Sequence, residues 1–332
     1  MVASAIREKP VVLSGMRPTG LLHLGHLEGA LRNWVRLQQE YRCFYFVADW
    51  HALTTGYQDT SNIANDRTEM VIDWLAAGID YQKSTLFVQS WMPEHAVLHL
   101  LLSMVVPVPW LERNPTYKEM VQELSLGESA GYGLLGYPVL QAADILIYKA
   151  SYVPVGKDQL PHLELTREIA RRFNYLYGDT LLEPQALLTE YAVIPGIDGR
   201  KMSKSYGNDI RIADEDETVR EKVMRMYTDP KKIYKRDPGH PDECPVCYLH
   251  QVYGSPNLEE IRRTCAEGTR GCVECKAELA EQLLKALADV RARRRELAAQ
   301  RERVEQILRQ GTEKARQVAR PILDTVIKAM KL

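Results

Sequence analysis

The sequence predicts an α/β protein in which a doubly wound parallel sheet is followed by a second, all-helical domain. In the first half, short β-type runs alternate with segments of helical periodicity, as in strands joined by crossover helices. In the second half the pattern is almost wholly helical, and no glycine occurs between Lys276 and Gly311. In such a sheet the ligand site is expected at the carboxyl ends of the strands.

The individual elements follow from local composition and periodicity. Strands are predicted over residues 11–13, 43–47, 85–88 and 153–156. Helices are predicted over residues 25–40, 61–77 with Ser61 as N-cap, 93–105 and 160–174. We expect an α/β domain over residues 1–190, a helical domain over 191–310, and a terminal helix over 311–332 that packs back on the first domain.

Composition and charge narrow the classes of protein. With 45% hydrophobic residues, 26% charged residues, 17 Pro and 20 Gly, the chain is neither disordered nor collagen-like. No apolar run reaches the roughly 18 residues of a membrane span, and the N-terminus lacks a signal-peptide core, so we expect a cytoplasmic protein. Residues 276–332 carry 14 Lys and Arg against 8 Asp and Glu, a net charge of +6. The positive charge of this C-terminal segment predicts a polyanionic partner, although a solvated helix face would have the same composition.

The first motif connects the first strand to the first helix. Residues 14–26 contain three glycines and a proline, and end in His23-Leu24-Gly25-His26. A helix N-terminus suits phosphate, and His23 and His26 lie three residues apart on one face. They are placed to donate hydrogen bonds to a transferring phosphoryl group. Gly25 would let a flat purine lie against the backbone.

The second motif is Lys201-Met202-Ser203-Lys204-Ser205, in a loop rich in glycine and proline. Two lysines in a mobile loop can close over a polyphosphate as point charges. An exposed basic loop would have the same composition, but the presence of both motifs in this order favours a nucleotide site.

Asp144 is the single acidic residue in an apolar, helix-like run over residues 138–148. A buried carboxylate without a partner is costly. Asp144 is therefore expected to face a ligand or a paired group.

Five of the six cysteines lie within 32 residues of one another: Cys244, Cys247, Cys265, Cys272 and Cys275. In an intracellular chain such a cluster indicates metal rather than disulfides. Two C-x2-C pairs could bind zinc and leave Cys265 unused. Alternatively, four thiolates could hold a [4Fe-4S] cluster and leave one cysteine of the first pair unused.

The two loop motifs together resemble the signatures of the class I aminoacyl-tRNA synthetases, whose catalytic domain is Rossmann-like. Residues 16–23, 48–54, 137–144 and 155–159, and Asp237-Pro238-Gly239, are similar to segments of the bacterial tryptophanyl-tRNA synthetases. The similarity covers nearly the whole chain. It implies a homodimer that adenylates L-tryptophan with ATP and Mg²⁺ and transfers it to tRNA(Trp), with the anticodon bound by the helical domain.

The resemblance also implies roles for the matching residues. Asp144 would accept the indole N–H, Tyr137 and Gln159 would hold the ammonium group, and Gln141, which replaces a Met of some relatives, would also line the pocket. The pocket wall would further include His51, Val153 and Val155. Catalysis would involve His23, His26, Lys201 and Lys204. ATP would be bound by Arg17, Thr19, Gly25, His26, Gly156, Asp158, Lys201, Met202, Ser203 and Lys204.

A subset of these synthetases carries a C-terminal four-cysteine iron–sulfur motif, which implies the [4Fe-4S] ligands Cys244, Cys265, Cys272 and Cys275, with zinc as the alternative metal. The first gap is shorter in this chain, and Cys247 is additional.

Two alternative functions share many of these features. One is a tyrosine-specific relative, which has the same fold and signatures. The other is a non-catalytic, metal-containing RNA-binding paralogue, which the intact signature residues argue against. For tRNA binding, the sequence predicts phosphate contacts from Arg291, Arg293, Arg294 and Arg295.

Overall fold

The structure is a computed structural model that describes residues 9–123, 130–156, 159–188 and 193–332. The strands are β1 (Val11–Met16), β2 (Arg42–Val47), β3 (Ser84–Val88), β4 (Tyr152–Val155) and β5 (Gln185–Leu188). The helices that accompany them are α1 (Leu24–His26), α2 (Arg32–Glu40), α3 (Asp49–Gly56), α4 (Ile63–Ala76), α5 (Pro93–Ser103), α6 (Val108–Glu112), α7 (Pro115–Glu123), α8 (Tyr132–Leu146) and α9 (Leu160–Tyr177). The helices that follow are α10 (Asp216–Met224), α11 (Pro245–Val252), α12 (Leu258–Ala266), α13 (Cys272–Ala298) and α14 (Arg301–Ala329).

The five strands form one parallel sheet in the order β3-β2-β1-β4-β5. Val12 at the start of β1 pairs with Cys43 on one side and with Tyr152 on the other. The chain therefore builds the sheet outward from β1 in one direction and then returns to extend it in the other. The gap between β1 and β4 is the switch point at which ligands bind in sheets of this kind. The predicted fold class is confirmed.

Alternate residues of the central strands enter two separate hydrophobic cores. Val12 and Tyr45 belong to the core that also contains residues of α2, α4 and α13. Leu13 and Phe44 belong to the core that contains residues of α5, α8, α9 and α14. This period of two, with helices on both faces, is the reason that the strands are almost continuously apolar.

Helix α14 lies directly against the β3 edge of the sheet. A Cβ atom on Gly311 would lie 1.7 Å from the carbonyl oxygen of Leu86, so only glycine allows this approach. Ala315, Ala319 and Leu323 then continue into the second core. The helix runs without interruption from Arg301 to Ala329, across the boundary expected at residue 311.

Most predicted elements are confirmed with small changes at their ends. The predicted helix over residues 25–40 is divided, because a π-helical turn, Leu27–Leu31, separates α1 from α2. The predicted N-cap at Ser61 is wrong: α4 begins at Ile63, and the Ser61 side chain instead donates to Asp59. Strand β5 and helices α3, α6 and α7 were not predicted. Within the described ranges, no helix is long and apolar enough to cross a membrane.

Candidate functional site

His23 and His26 cap the start of α1 reciprocally. The backbone N–H of Gly25 donates to Nδ1 of His23 at 3.0 Å, and the N–H of His23 donates to Nδ1 of His26 at 3.3 Å. Because Nδ1 accepts in both rings, each neutral imidazole carries its hydrogen on Nε2. A Cβ on Gly25 would lie 2.9 Å from the His23 ring, so this glycine is required by the cap itself.

Burial lowers the pKa of both histidines, to about 4 for His23 and about 3 for His26. The neighbouring Lys204 lowers both values further. At neutral pH both rings are therefore uncharged, and each has an Nε2–H available as a donor.

Lys204 joins the two motifs. Its Nζ donates to the carbonyl oxygens of Thr19 at 3.0 Å and Gly20 at 2.9 Å, and it lies 3.3 Å from Thr19 Oγ1. Burial lowers the pKa of the Lys204 ammonium group. The ammonium group thus sits on the turn that precedes His23, and an anion arriving there would meet a cation that is already in place.

The rest of the second motif is held by backbone contacts. Met202 is buried beside Gly25, and the N–H of Ser203 donates to Oδ1 of Asn208 at 2.8 Å. Lys201 has an exposed side chain. The N–H of Leu24 donates to the carbonyl oxygen of Ile210 at 3.0 Å, which ties α1 to the segment after the second motif.

A cavity of about 410 Å³ lies at the carboxyl ends of β1 and β4, within the size range of small-molecule sites. It gathers every residue predicted for tryptophan and two predicted for ATP: Arg17, His51, Tyr137, Gln141, Asp144, Val153, Val155, Gly156 and Gln159. Residues 23–26 of the first motif and the whole second motif do not line this cavity. Asp158 lies outside the described residues.

Asp144 is fully buried and has the partners that the sequence predicts for a buried carboxylate. His51 Nε2 lies 2.7 Å from Oδ2, and His95 Nδ1 lies 2.6 Å from Oδ1. Gln89 Nε2 lies 2.8 and 2.9 Å from the two oxygens. Burial by itself would raise the pKa of Asp144, but the hydrogen bonds from His51 and His95 outweigh it and lower the pKa.

The sequence did not predict Gln89, His95 or His162. His162 lies between the two residues expected to hold the ammonium group: its Nε2 is 2.8 Å from Tyr137 Oη, and its Nδ1 is 3.0 Å from Gln159 Oε1. Its spacing of three residues from Gln159 is the signal that could have identified it. Gln89 and His95 reach Asp144 from a separate segment, and no local pattern marks them.

The five clustered cysteines line a second cavity, together with Lys232 and Arg270. All are free thiols, and burial raises the pKa of Cys247 to about 11 and that of Cys275 to about 12. Within the described residues, no group of three or more His, Cys, Asp or Glu side chains is placed to hold a metal ion. The five clustered thiols therefore converge on one cavity without forming a metal-binding group there.

The expectation that Arg291 and Arg294 contact nucleic acid is wrong, because both pair with carboxylates of this chain. Arg291 is buried and lies 2.5 Å from Asp216. Arg294 pairs with Asp73 at 2.7 Å and also with Glu69. Arg293 and Arg295, on the same helix, have exposed side chains.

Residues 5–288 match the family described as tRNA synthetases class I (W and Y). The chain is 50% identical to the tryptophan–tRNA ligase of Thermotoga maritima over 324 residues, which cover 97% of this chain and 99% of that protein. It is 45% identical to the tryptophan–tRNA ligase of Aquifex aeolicus, with coverages of 97% and 99%.

A solved structure has the same architecture. The tryptophanyl-tRNA synthetase of Campylobacter jejuni, in a complex with ADP and tryptophan, superposes with a TM-score of 0.88 at 33% sequence identity. The alignment covers 97% of this chain and all of that one.

Proposed function

The chain belongs to the class I tRNA synthetases of tryptophan and tyrosine and is a tryptophan–tRNA ligase, and we propose that the cavity beside Asp144 binds its amino-acid substrate. Such an enzyme converts L-tryptophan and ATP to tryptophanyl-adenylate and pyrophosphate, and then transfers the tryptophanyl group to tRNA(Trp). The observation that carries the proposal is the convergence of Asp144, Tyr137 and Gln159 on one cavity at the switch point of the sheet.

In this proposal the indole ring lies against the apolar wall contributed by Val153 and Val155, and its N–H donates to the Asp144 carboxylate. A buried, ionised carboxylate is suited to a donor from the ligand and repels another acceptor. The substrate ammonium group binds near Tyr137 and Gln159, whose orientation His162 maintains.

The nucleotide is proposed to lie against α1. The tryptophan carboxylate attacks the α-phosphorus of ATP, and the bond to the bridging oxygen of pyrophosphate breaks. The Nε2–H groups of His23 and His26 and the ammonium groups of Lys201 and Lys204 stabilise the charge that develops on the phosphate oxygens. Arg17, Thr19, Gly25, Gly156, Asp158, Met202 and Ser203 complete the proposed ATP site.

Mg²⁺ is proposed to enter on the triphosphate, where it neutralises part of the charge. Magnesium in such sites is held largely by phosphates and water.

The cysteine cavity is proposed to hold a [4Fe-4S] cluster through Cys244, Cys265, Cys272 and Cys275. The donor set fits, since all four thiols line one cavity, and Lys232 and Arg270 can offset the charge of four thiolates. When bound, the cluster would tie α11, α12 and α13 together.

A homodimer is proposed because one face of α5 is apolar and uncovered. Val97 and Leu100 lie on this face, Met104 follows directly after the helix, and Val108 lies on α6; each of these residues is between 40% and 68% exposed. A group of exposed apolar residues is typical of a subunit interface. Met104→Glu should convert a dimer to a monomer in sedimentation velocity, whereas Tyr175→Glu, at an exposed position on α9, should not.

We further propose a catalytic domain over residues 1–190, an anticodon-binding helical domain over 191–310, and a terminal helical segment over 311–332 that contacts the first domain. The cytoplasm is the proposed location, where tRNA and ATP are both available.

ATP–pyrophosphate exchange tests the proposal. The wild type should exchange with tryptophan and not with tyrosine, and Asp144→Ala should lose most of the activity with tryptophan. A site built to bond a donor rejects an analogue that lacks it by roughly 10⁴–10⁵, so discrimination against phenylalanine should fall in the same variant. Preference for tyrosine would favour the tyrosine-specific alternative, and absence of exchange with either amino acid would favour the RNA-binding alternative.

A further inference from the structure

The Asp144 carboxylate has hydrogen-bond partners on two sides, a front side that faces the cavity and a rear side that faces the protein interior. His51 and Asp144 both line the cavity, whereas Gln89 and His95 contact the same carboxylate without lining it. The His51 side chain is 13% exposed and that of His95 is inaccessible. A ligand N–H that enters the cavity can therefore replace His51 at Oδ2 while the rear contacts persist.

The rear contacts continue to a third residue. His95 Nε2 lies 2.8 Å from the hydroxyl of Tyr148, and both side chains are buried. Burial raises the pKa of Tyr148 well above its usual value, so the hydroxyl keeps its proton. Both ring nitrogens of His95 have a hydrogen-bond partner, which fixes the orientation of the ring.

We propose that His95, oriented by Tyr148, is a positioning residue that holds the Asp144 carboxylate with one oxygen directed into the cavity, and so sets the preference for a substrate side chain bearing an N–H donor. This inference rests on the proposed function. A carboxylate gripped at one side by His95 and across both oxygens by Gln89 cannot rotate about its terminal bond. The acceptor is therefore ordered before the substrate arrives, and the free-energy cost of ordering it does not reduce the binding affinity.

The test compares L-tryptophan with β-(3-benzothienyl)-L-alanine, in which sulfur replaces the indole N–H in a ring system of the same shape. The variant is His95→Leu combined with Tyr148→Phe, because replacing both polar partners by apolar groups leaves no buried group unsatisfied between them. His99→Leu is the matched control: it lies one turn later on α5, and its ring has no described hydrogen bond to Asp144.

The double variant should lose about 10- to 100-fold in kcat/KM for tryptophan, the effect of losing a hydrogen bond to a charged group. The loss should appear mainly in KM, because the indole contact exists in both the ground state and the transition state. Activity with the benzothienyl analogue should change by less than about threefold, so the preference of the enzyme for tryptophan shrinks. The His99 control should keep the wild-type preference.

Equal losses for both substrates would overturn the inference and assign His95 to the fold alone. If the double variant does not fold, Tyr148→Phe alone should reduce the preference for tryptophan over the analogue by a smaller factor. An unchanged preference in that variant would contradict the role of Tyr148 in orienting His95. A wild type that does not prefer tryptophan over the analogue would instead reject the role of Asp144. The two failures are therefore distinguishable.

Discussion

Arg294 on α13 donates from Nε to Oδ1 of Asp73 on α4 at 2.7 Å. The other oxygen of Asp73 accepts the backbone N–H of Leu22 at 3.1 Å, one residue before His23. Asp73 is fully buried, and burial raises its pKa to about 6 although Arg294 opposes the shift. Arg294, which belongs to the helical region, thus favours the ionised form of Asp73, the residue that anchors the first motif.

This pair makes stability depend on pH. Between about pH 4 and 6, Asp73 keeps its proton in the folded protein but has lost it in the unfolded chain. The contribution of Asp73 to the free energy of unfolding therefore falls as the pH rises through this range. Arg294 offsets that cost. Arg294→Ala should therefore lower the free energy of unfolding by about 3 kcal/mol at pH 8, and by much less at pH 5, where Asp73 is protonated.

Urea unfolding at the two pH values measures this difference. Arg295→Ala, at the next and exposed position, is the matched control and should have little effect at either pH. Asp73→Asn in the Arg294→Ala background should recover part of the loss at pH 8. A loss that is the same at both pH values would contradict the role of Asp73 ionisation.

The histidines of the first motif should act as neutral donors through Nε2. Since their pKa values are about 4 and 3, their protonation should not appear in the pH profile of adenylate formation above about pH 5. His26→Ala should lower kcat by about 10²–10³, the effect of removing one donor to a developing charge. His26→Gln, whose amide nitrogen can approach the position of Nε2, should retain more activity than His26→Asn. Equal activity of the two amide variants would argue against Nε2 as the donor.

Lys204 should act mainly on the transition state. Its ammonium group is held by two backbone carbonyl groups, and it must exchange these contacts for phosphate oxygens during the reaction. Lys204→Ala should lower kcat for pyrophosphate exchange by about 10²–10³ and leave tryptophan affinity, measured by calorimetry, nearly unchanged. Lys285→Ala, at an exposed position on α13, should leave both quantities unaltered. Parallel losses in affinity and kcat would show that Lys204 organises the pocket instead.

The tRNA surface should use the exposed arginines of α13. Arg293→Gln with Arg295→Gln should weaken tRNA binding and reduce the dependence of log K on log salt by about one per lost phosphate contact. Pyrophosphate exchange should be unaffected, because it requires no tRNA. Arg291→Gln should instead destabilise the fold, since the Arg291 side chain is buried and would lose its hydrogen bonds to the exposed carboxylate of Asp216 and to the carbonyl oxygen of Asp214. An unchanged salt dependence in the double variant would assign this face to solvent.

The cysteine cavity should bind iron and sulfide. Anaerobically purified protein should be brown, with iron and acid-labile sulfide near four each per chain, as expected for one [4Fe-4S] cluster. Cys247→Ser should retain the colour and Cys265→Ser should lose it, although both thiols line the same cavity. Colourless protein with one zinc per chain would identify zinc as the metal and return Cys247 to the ligand set.

Much of the fold and part of the site could be predicted because the signals are local. The apolar runs of β1 to β4 and the helical periodicity of α9 each lie within a few residues, and secondary structure follows from such short-range patterns. The same is true of His23 and His26, which share one turn, and of Asp144, whose apolar neighbours indicate its burial.

Other features depend on residues that are far apart in the chain and adjacent only after folding. Lys204 meets Thr19 across 185 positions, and Arg294 meets Asp73 across 221. No sequence periodicity indicates such pairings. For this reason Arg291 and Arg294, which the sequence predicts to contact tRNA, instead form ion pairs with carboxylates of this chain.

The sequence by itself thus determined the class of fold, the two signature motifs and the acidic residue of the pocket, because each is written in neighbouring residues. The tertiary structure alone decided which side of Asp144 faces the cavity, which histidine stands behind it, and which cation keeps Asp73 charged. The physical reason is that the energy of a buried polar group depends on the few atoms that surround it, and packing brings those atoms together from distant parts of the chain.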